Sequence, residues 1–138
     1  MAITQTVCTS FKKELLEGVH NLGSDTIKIA LYTDAATLGA DTTTYSTDNE
    51  VSGTGYTAGG VQIGATVSSD GTIAYVDFDD ATWASSSFTA RGALIYNSSK
   101  SNKAVMVLDF GDDKTSNNST FTVGMPANTS TAALIRIT

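Results

Sequence analysis

Side chains able to do chemistry are sparse in this sequence: one histidine, His20, one cysteine, Cys8, and carboxylates that gather in pairs only at Asp79-Asp80 and Asp112-Asp113. A thiol within reach of an imidazole would make a nucleophile and its base. Here the two lie on a stretch whose spacing predicts a single helix, about three turns apart, so their side chains cannot meet. His20 has no second histidine to form a metal pair. Near a helix C-terminus a cationic group is favourable in itself, so packing or capping is its expected use. The Asp pairs could hold calcium or act as acid and base. Neither sits in an EF-hand pattern, and both follow apolar runs, where Asp bonds local backbone amides; a structural use is expected.

The glycines of Gly53-Thr54-Gly55-Tyr56-Thr57-Ala58-Gly59-Gly60 imitate a phosphate loop in composition only. No lysine follows in the Walker position, and the next segment reads as strand, which leaves no helix N-terminus for a phosphate. A flexible loop, or an extended arm that orders on a neighbouring subunit, accounts for them. Trp83 with Tyr45, Tyr56, Tyr75 and Tyr96 could build a stacking platform for sugar; Tyr75 and Tyr96 lie inside strands, where packing is the expected use, and Trp83 stays open to either role. Arg91 is the one charge within the apolar run Thr89 to Tyr96. It needs a partner, with Asp77 or Asp109 the candidates, and is expected to serve as a fold-specifying ion pair or an intersubunit contact. No catalytic, cofactor-binding or metal-binding residue is assigned.

At 138 residues the chain has the commonest size for one domain and can bury a core without disulfides, which a single cysteine excludes. A net charge of -6, with a pI near 4.4 and scattered lysines and arginines, argues against nucleic acid as a partner. No stretch approaches a membrane span and no leader is evident, so a soluble product made in the cytoplasm is expected.

Apolar residues at Ile3, Val7, Phe11, Leu15, Val19 and Leu22 recur at helical spacing and predict a helix over about residues 5–21, with Thr4 as cap and Gly23 at its end. The period then falls to two at Ile27, Ile29 and Leu31, the first strand. Residues 34–60, rich in Thr, Ser, Asp and Gly, form a long loop that is either functional or partly disordered. Strands are expected at Val61 to Ser68 and Thr72 to Phe78 around an Asp70-Gly71 turn, then at Phe88 to Tyr96, Ala104 to Phe110, Ser119 to Met125 and Ala132 to Thr138. The reading is a single mainly β domain: an antiparallel sandwich or barrel-like sheet with one N-terminal helix, its β core in residues 26–33 and 61–138.

Two stretches carry a family resemblance: Gly18-Val19-His20-Asn21-Leu22-Gly23-Ser24-Asp25-Thr26-Ile27-Lys28-Ile29-Ala30-Leu31-Tyr32, and Ala93-Leu94-Ile95-Tyr96-Asn97 followed by Val105-Met106-Val107-Leu108-Asp109-Phe110-Gly111. In this order they resemble small structural proteins of tailed bacteriophages. The resemblance implies a non-enzymatic virion component, first a capsid decoration or cement protein that binds the major capsid protein or other virion proteins as a homo-oligomer, with a trimer favoured. A tail or head-to-tail component, or a carbohydrate-binding module on the virion, is the alternative. Phe11, Tyr45, Tyr56, Trp83 and Arg91 are the candidate subunit contacts.

Overall fold

Alternating apolar residues and β-branched runs commit most of the chain to strands, and the computed structural model, which describes residues 2–138, is mainly β with one α-helix near its N-terminus. In chain order the elements are β1 (Thr6–Val7), α1 (Thr9–Leu16), β2 (Ile27–Tyr32), β3 (Val61–Ile63), β4 (Ala65–Asp70), β5 (Ile73–Phe78), β6 (Ala81–Ser86), β7 (Thr89–Asn97), β8 (Lys103–Thr115), β9 (Ser119–Val123) and β10 (Ile135–Ile137). All named pairings are antiparallel, in three ladders ordered β1-β8-β7-β2-β3, β10-β5-β4 and β6-β9. The expected sandwich-like class is therefore observed.

Strands β2, β7 and β8 form the middle of the largest sheet, and their sequences read as apolar runs because both faces are covered. Ala30, Leu31, Ala93, Leu94, Ile95, Val105 and Val107 have no exposed surface. Two long strands wrap this sheet into layers. β6 runs into β7 and β8 into β9, so that the two ladders are one ribbon bent between the Thr89–Thr115 and Ser86–Ser119 pairs. Inside the bend the Ser116 N–H donates to Phe88 O at 2.9 Å, and the buried Ser86 and Ser116 hydroxyls lie 2.8 Å apart.

Several expected boundaries move, each for a tertiary reason. The helix covers Thr9–Leu16 and not residues 5–21. Thr6 and Val7 are taken by β8, pairing with Val107 and Met106, and the extended Cys8 donates its N–H to Val105 O; pairing with a strand outweighs the helical spacing. Cys8, not Thr4, holds the N-cap position, and Gly18 at φ +73°, not Gly23, is the left-handed residue beyond the last turn. The expected strand from Val61 to Ser68 breaks at Gly64, with β3 joining β2 and β4 joining β5. β6 was not expected, because Trp83 and the small residues around it show weak alternation.

The long segment from Asp34 to Gly60 is neither free nor an arm reaching away. Bridges tie Leu38 to Ile3, Thr44 to Lys103, Glu50 to Tyr32 and Thr54 to Ser87. It closes at Gly60, whose backbone at φ +76° presses on Ile29 and Ala30 so closely that a Cβ would overlap Ile29 O. Gly60→Ala is expected to lower stability by more than about 2 kcal/mol in urea denaturation, with the loss also seen as faster amide exchange in the preceding segment.

Candidate functional site

Glu50 is the only glutamate beyond Glu17, and the structure gives its carboxylate three donors. Tyr45 Oη donates to Oε1 at 2.6 Å; Tyr56 Oη and the Gly59 N–H donate to Oε2, the latter at 2.8 Å. Tyr56 Oη in turn accepts from the Leu31 N–H at 2.9 Å, which links the cluster to β2. Two more hydroxyls fasten the segment: Tyr96 Oη donates to Gly59 O at 2.6 Å and Tyr32 Oη to Ser46 O at 2.7 Å. The rings of Tyr45 and Tyr96 stack with centroids 4.8 Å apart. Burial, with the Glu50 carboxylate adding to it, raises the hydroxyl pKa of Tyr32, Tyr45, Tyr56 and Tyr96 above the ordinary tyrosine value. These groups thus remain donors, and none becomes a phenolate at neutral pH.

A second cluster surrounds His20, which is buried just past the helix. Its Nε2 lies 2.9 Å from Glu14 Oε1 and its Nδ1 3.0 Å from Asn97 Nδ2. Asn97 Oδ1 accepts from the Ser99 N–H, which fixes the amide orientation, so Nδ1 must be the accepting nitrogen and Nε2 the protonated one. Asn97 Nδ2 also donates to Asp25 Oδ2 at 2.8 Å, and Asp25 accepts from the Asn21 N–H at 2.9 Å. Burial opposes ionisation of Asp25, but these two bonds and Lys100 together outweigh it and hold the carboxyl below its usual range. With both ring nitrogens occupied, His20 has none left for a substrate or a metal. Cys8 has no exposed surface, points at Gly39 O 3.9 Å away, and is pushed up to about 11 by burial, then by Asp41 and Glu14. The two residues do not share a helix, yet each is engaged elsewhere, so no thiol and base pair forms.

The other candidate positions fall as follows. Phe11 is 1% exposed and packs on His20, with ring centroids 4.8 Å apart. Trp83, 4% exposed, is enclosed by Tyr56, Phe88 and Phe121, so its ring offers no face to a sugar. Tyr45 and Tyr56 are half-buried in the Glu50 cluster. Arg91 meets Asp109, Nε to Oδ1 3.5 Å, as an ion pair without a good hydrogen bond, while Asp77 is turned to the Leu134 N–H. Tyr45 and Tyr56 are thus brought together, Trp83 lies beside Tyr56, and Phe11 and Arg91 lie apart from them. Asp80 accepts from the Met125 N–H at 2.7 Å, and Asp112 and Asp113 are exposed on β8. Among the described residues no three potential ligands converge on a metal position.

One of the open surfaces is predominantly apolar. A groove of about 300 Å³ separates Phe11, Leu15 and Leu22 from the three-stranded ladder, where Ile135, Val76 and Val67 stand opposite one another and so share a face. This groove was not anticipated, because the sequence does not show which strands meet β5. Searches against family models, curated proteins and solved structures give no match to this chain.

Glu50→Gln replaces a carboxylate that accepts three bonds with an amide offering one acceptor oxygen, and is expected to cost about 1–3 kcal/mol in urea denaturation while leaving the fold intact. For Asp25 the folded pKa lies below the unfolded value, so its stabilisation is present above about pH 4 and is lost as pH falls through the folded value. Asp25→Asn is therefore expected to lower Tm at pH 7, with the gap to the wild-type chain narrowing as melts are repeated down to about pH 2.5.

Proposed function

We propose that the chain is a structural subunit of a tailed-phage virion, a capsid decoration or cement protein that binds the shell as a homo-oligomer and does no catalysis. The observation that carries this reading is how the polar and apolar groups are divided. His20, Cys8 and Glu50, the groups suited to acid, base or nucleophilic work, are all engaged in holding the fold. Among the described residues the exposed large hydrophobics are Leu16, Val67 and Ile137; Val67 and Ile137 line the groove, and Leu16 follows Leu15 of its wall. An apolar surface gathered at one place marks contact with protein. A small β subunit with that property gains strength on a shell through repetition, each weak contact being multiplied by the lattice. The sequence resemblance supplies the head as the place.

In purified virions that carry this chain, mass spectrometry is expected to count it in numbers comparable to the major capsid protein, and particle imaging to locate it on the head. A few copies confined to the tail would overturn the decoration assignment in favour of a tail component.

A further inference from the structure

We propose that His20 works as a proton-operated latch: a proton taken up at its Nδ1 reverses the Asn97 amide and uncaps the turn Ser98–Lys100 at the tip of the β7–β8 hairpin. The inference concerns the fold alone and does not depend on the virion assignment.

The side chain of His20 has no exposed surface, and its neutral form suits both neighbours. Nε2–H donates to Glu14 Oε1 at 2.9 Å, and Nδ1 accepts from Asn97 Nδ2 at 3.0 Å. A second proton leaves the Glu14 bond in place but sets two donors face to face at Nδ1. Asn97 is itself fully enclosed, so its amide cannot swing into water. Its terminal torsion is roughly two-fold, which leaves a half-turn of the amide as the reachable alternative. That half-turn presents Oδ1 to the new N–H and satisfies it. The cost falls elsewhere. Oδ1 then faces Asp25 Oδ2, which now receives Nδ2–H at 2.8 Å, and Nδ2 faces the Ser99 N–H, which now donates to Oδ1 at 3.0 Å. Three bonds of Asn97 become one.

The charges around the ring fit this reading. Glu14 on α1 stands 3.8 Å from Lys103 at the start of β8, and Asp25, just before β2, stands 3.8 Å from Lys100 in the turn itself. Of the residues of β5 and β10 that line the groove beside His20, Tyr75 alone is titratable and none is charged. The carboxylate of Glu14, already bonded to Nε2, answers the charge of an imidazolium without moving, so a buried ring can take the proton with the fold intact. Asn97 makes that uptake conditional on releasing the turn.

The turn has little in reserve. Beyond the Asn97 cap it is tied to Thr26, whose carbonyl accepts from Ser98 N and Oγ and whose N–H donates to Ser99 Oγ. Ser101 and Asn102 follow at φ +56° and +58°, left-handed backbone that costs a residue with a side chain some stability. Loss of the cap therefore loosens the tip against the start of β2, while the inner pairs of β7 and β8 stay closed.

His20 is the only histidine, so its ring ¹⁵N signals are assigned without ambiguity. At neutral pH they should show the Nε2–H form. As the full chain is titrated toward acid, the Asn97 side-chain and Ser99 amide signals should move with the ring at one common midpoint, carboxyl ¹³C signals reporting Asp25 and Glu14 separately. Protection of the Ser99 amide against exchange should fall about tenfold across that step, the effect of roughly one hydrogen bond. His20→Gln keeps an acceptor toward Asn97 and a donor toward Glu14 but takes no proton; its Ser99 amide should stay still over the same range. Three results would overturn the latch: a ring that titrates while Asn97 and Ser99 do not follow, a ring that stays neutral until the whole domain unfolds, or the same Ser99 movement in His20→Gln. The wild-type titration decides alone should that variant not fold.

Discussion

The Glu50 carboxylate is the point on which the arrangement of this protein depends. A segment as long as Asp34 to Gly60, without strands of its own, would carry backbone groups that only water could satisfy if it lay free. One half-buried acceptor resolves this by collecting two tyrosine hydroxyls and a backbone N–H from positions 45, 56 and 59, which folds the segment onto itself. Through Tyr56 and Tyr96 the same cluster is joined to β2 and β7, two of the three inner strands of the largest sheet. The aromatic rings serve twice, as hydrogen-bond donors at one end and as packing against Trp83, Phe88 and each other along their faces.

A comparable economy joins the other end of the sheet. Asn97 ends β7, and its amide uses both oxygen and nitrogen: the oxygen caps the following turn, and the nitrogen donates to the His20 ring and to Asp25. His20 in turn leads to Glu14 on α1. A buried histidine, asparagine and two carboxylates would each be costly alone; connected, each supplies the partner that another needs. The helix is too short to be stable by itself, so this chain of bonds and the Phe11 contact hold it to the sheet.

Fold class was legible because period-two alternation survives wherever one strand face meets solvent, and the Asp70-Gly71 and Asn97 to Lys103 turns carry recognisable turn residues. The helix was overextended because Ile3 and Val7 satisfy a helical spacing by coincidence while pairing with other segments. The Glu50 cluster left a faint trace, a solitary glutamate between two tyrosines in a Thr and Gly segment. The His20 cluster left none, since Asn97 is distant in sequence and asparagine at a strand end is common in turns. For Arg91 the sequence left Asp77 and Asp109 both open, and only the pairing of β7 with β8 decides for Asp109.

The same displacement of the helix start explains why an apolar face is left open. Were α1 to begin near Gln5, its axis would extend along β8 and its apolar stripe would run to Leu22 as one surface. With Thr6 and Val7 drawn into the sheet and Gly18 turning the chain, only two turns remain, and residues 19–22 follow as irregular chain leading into a turn. Leu15 then lines the groove and Leu16 is left exposed. β4 has no strand beyond it, so the row from Ile135 through Val76 ends at a half-exposed Val67. Burying a leucine or valine is worth about 1.5–3 kcal/mol. A chain with few charges that leaves these side chains in water forgoes that stabilisation within its own fold.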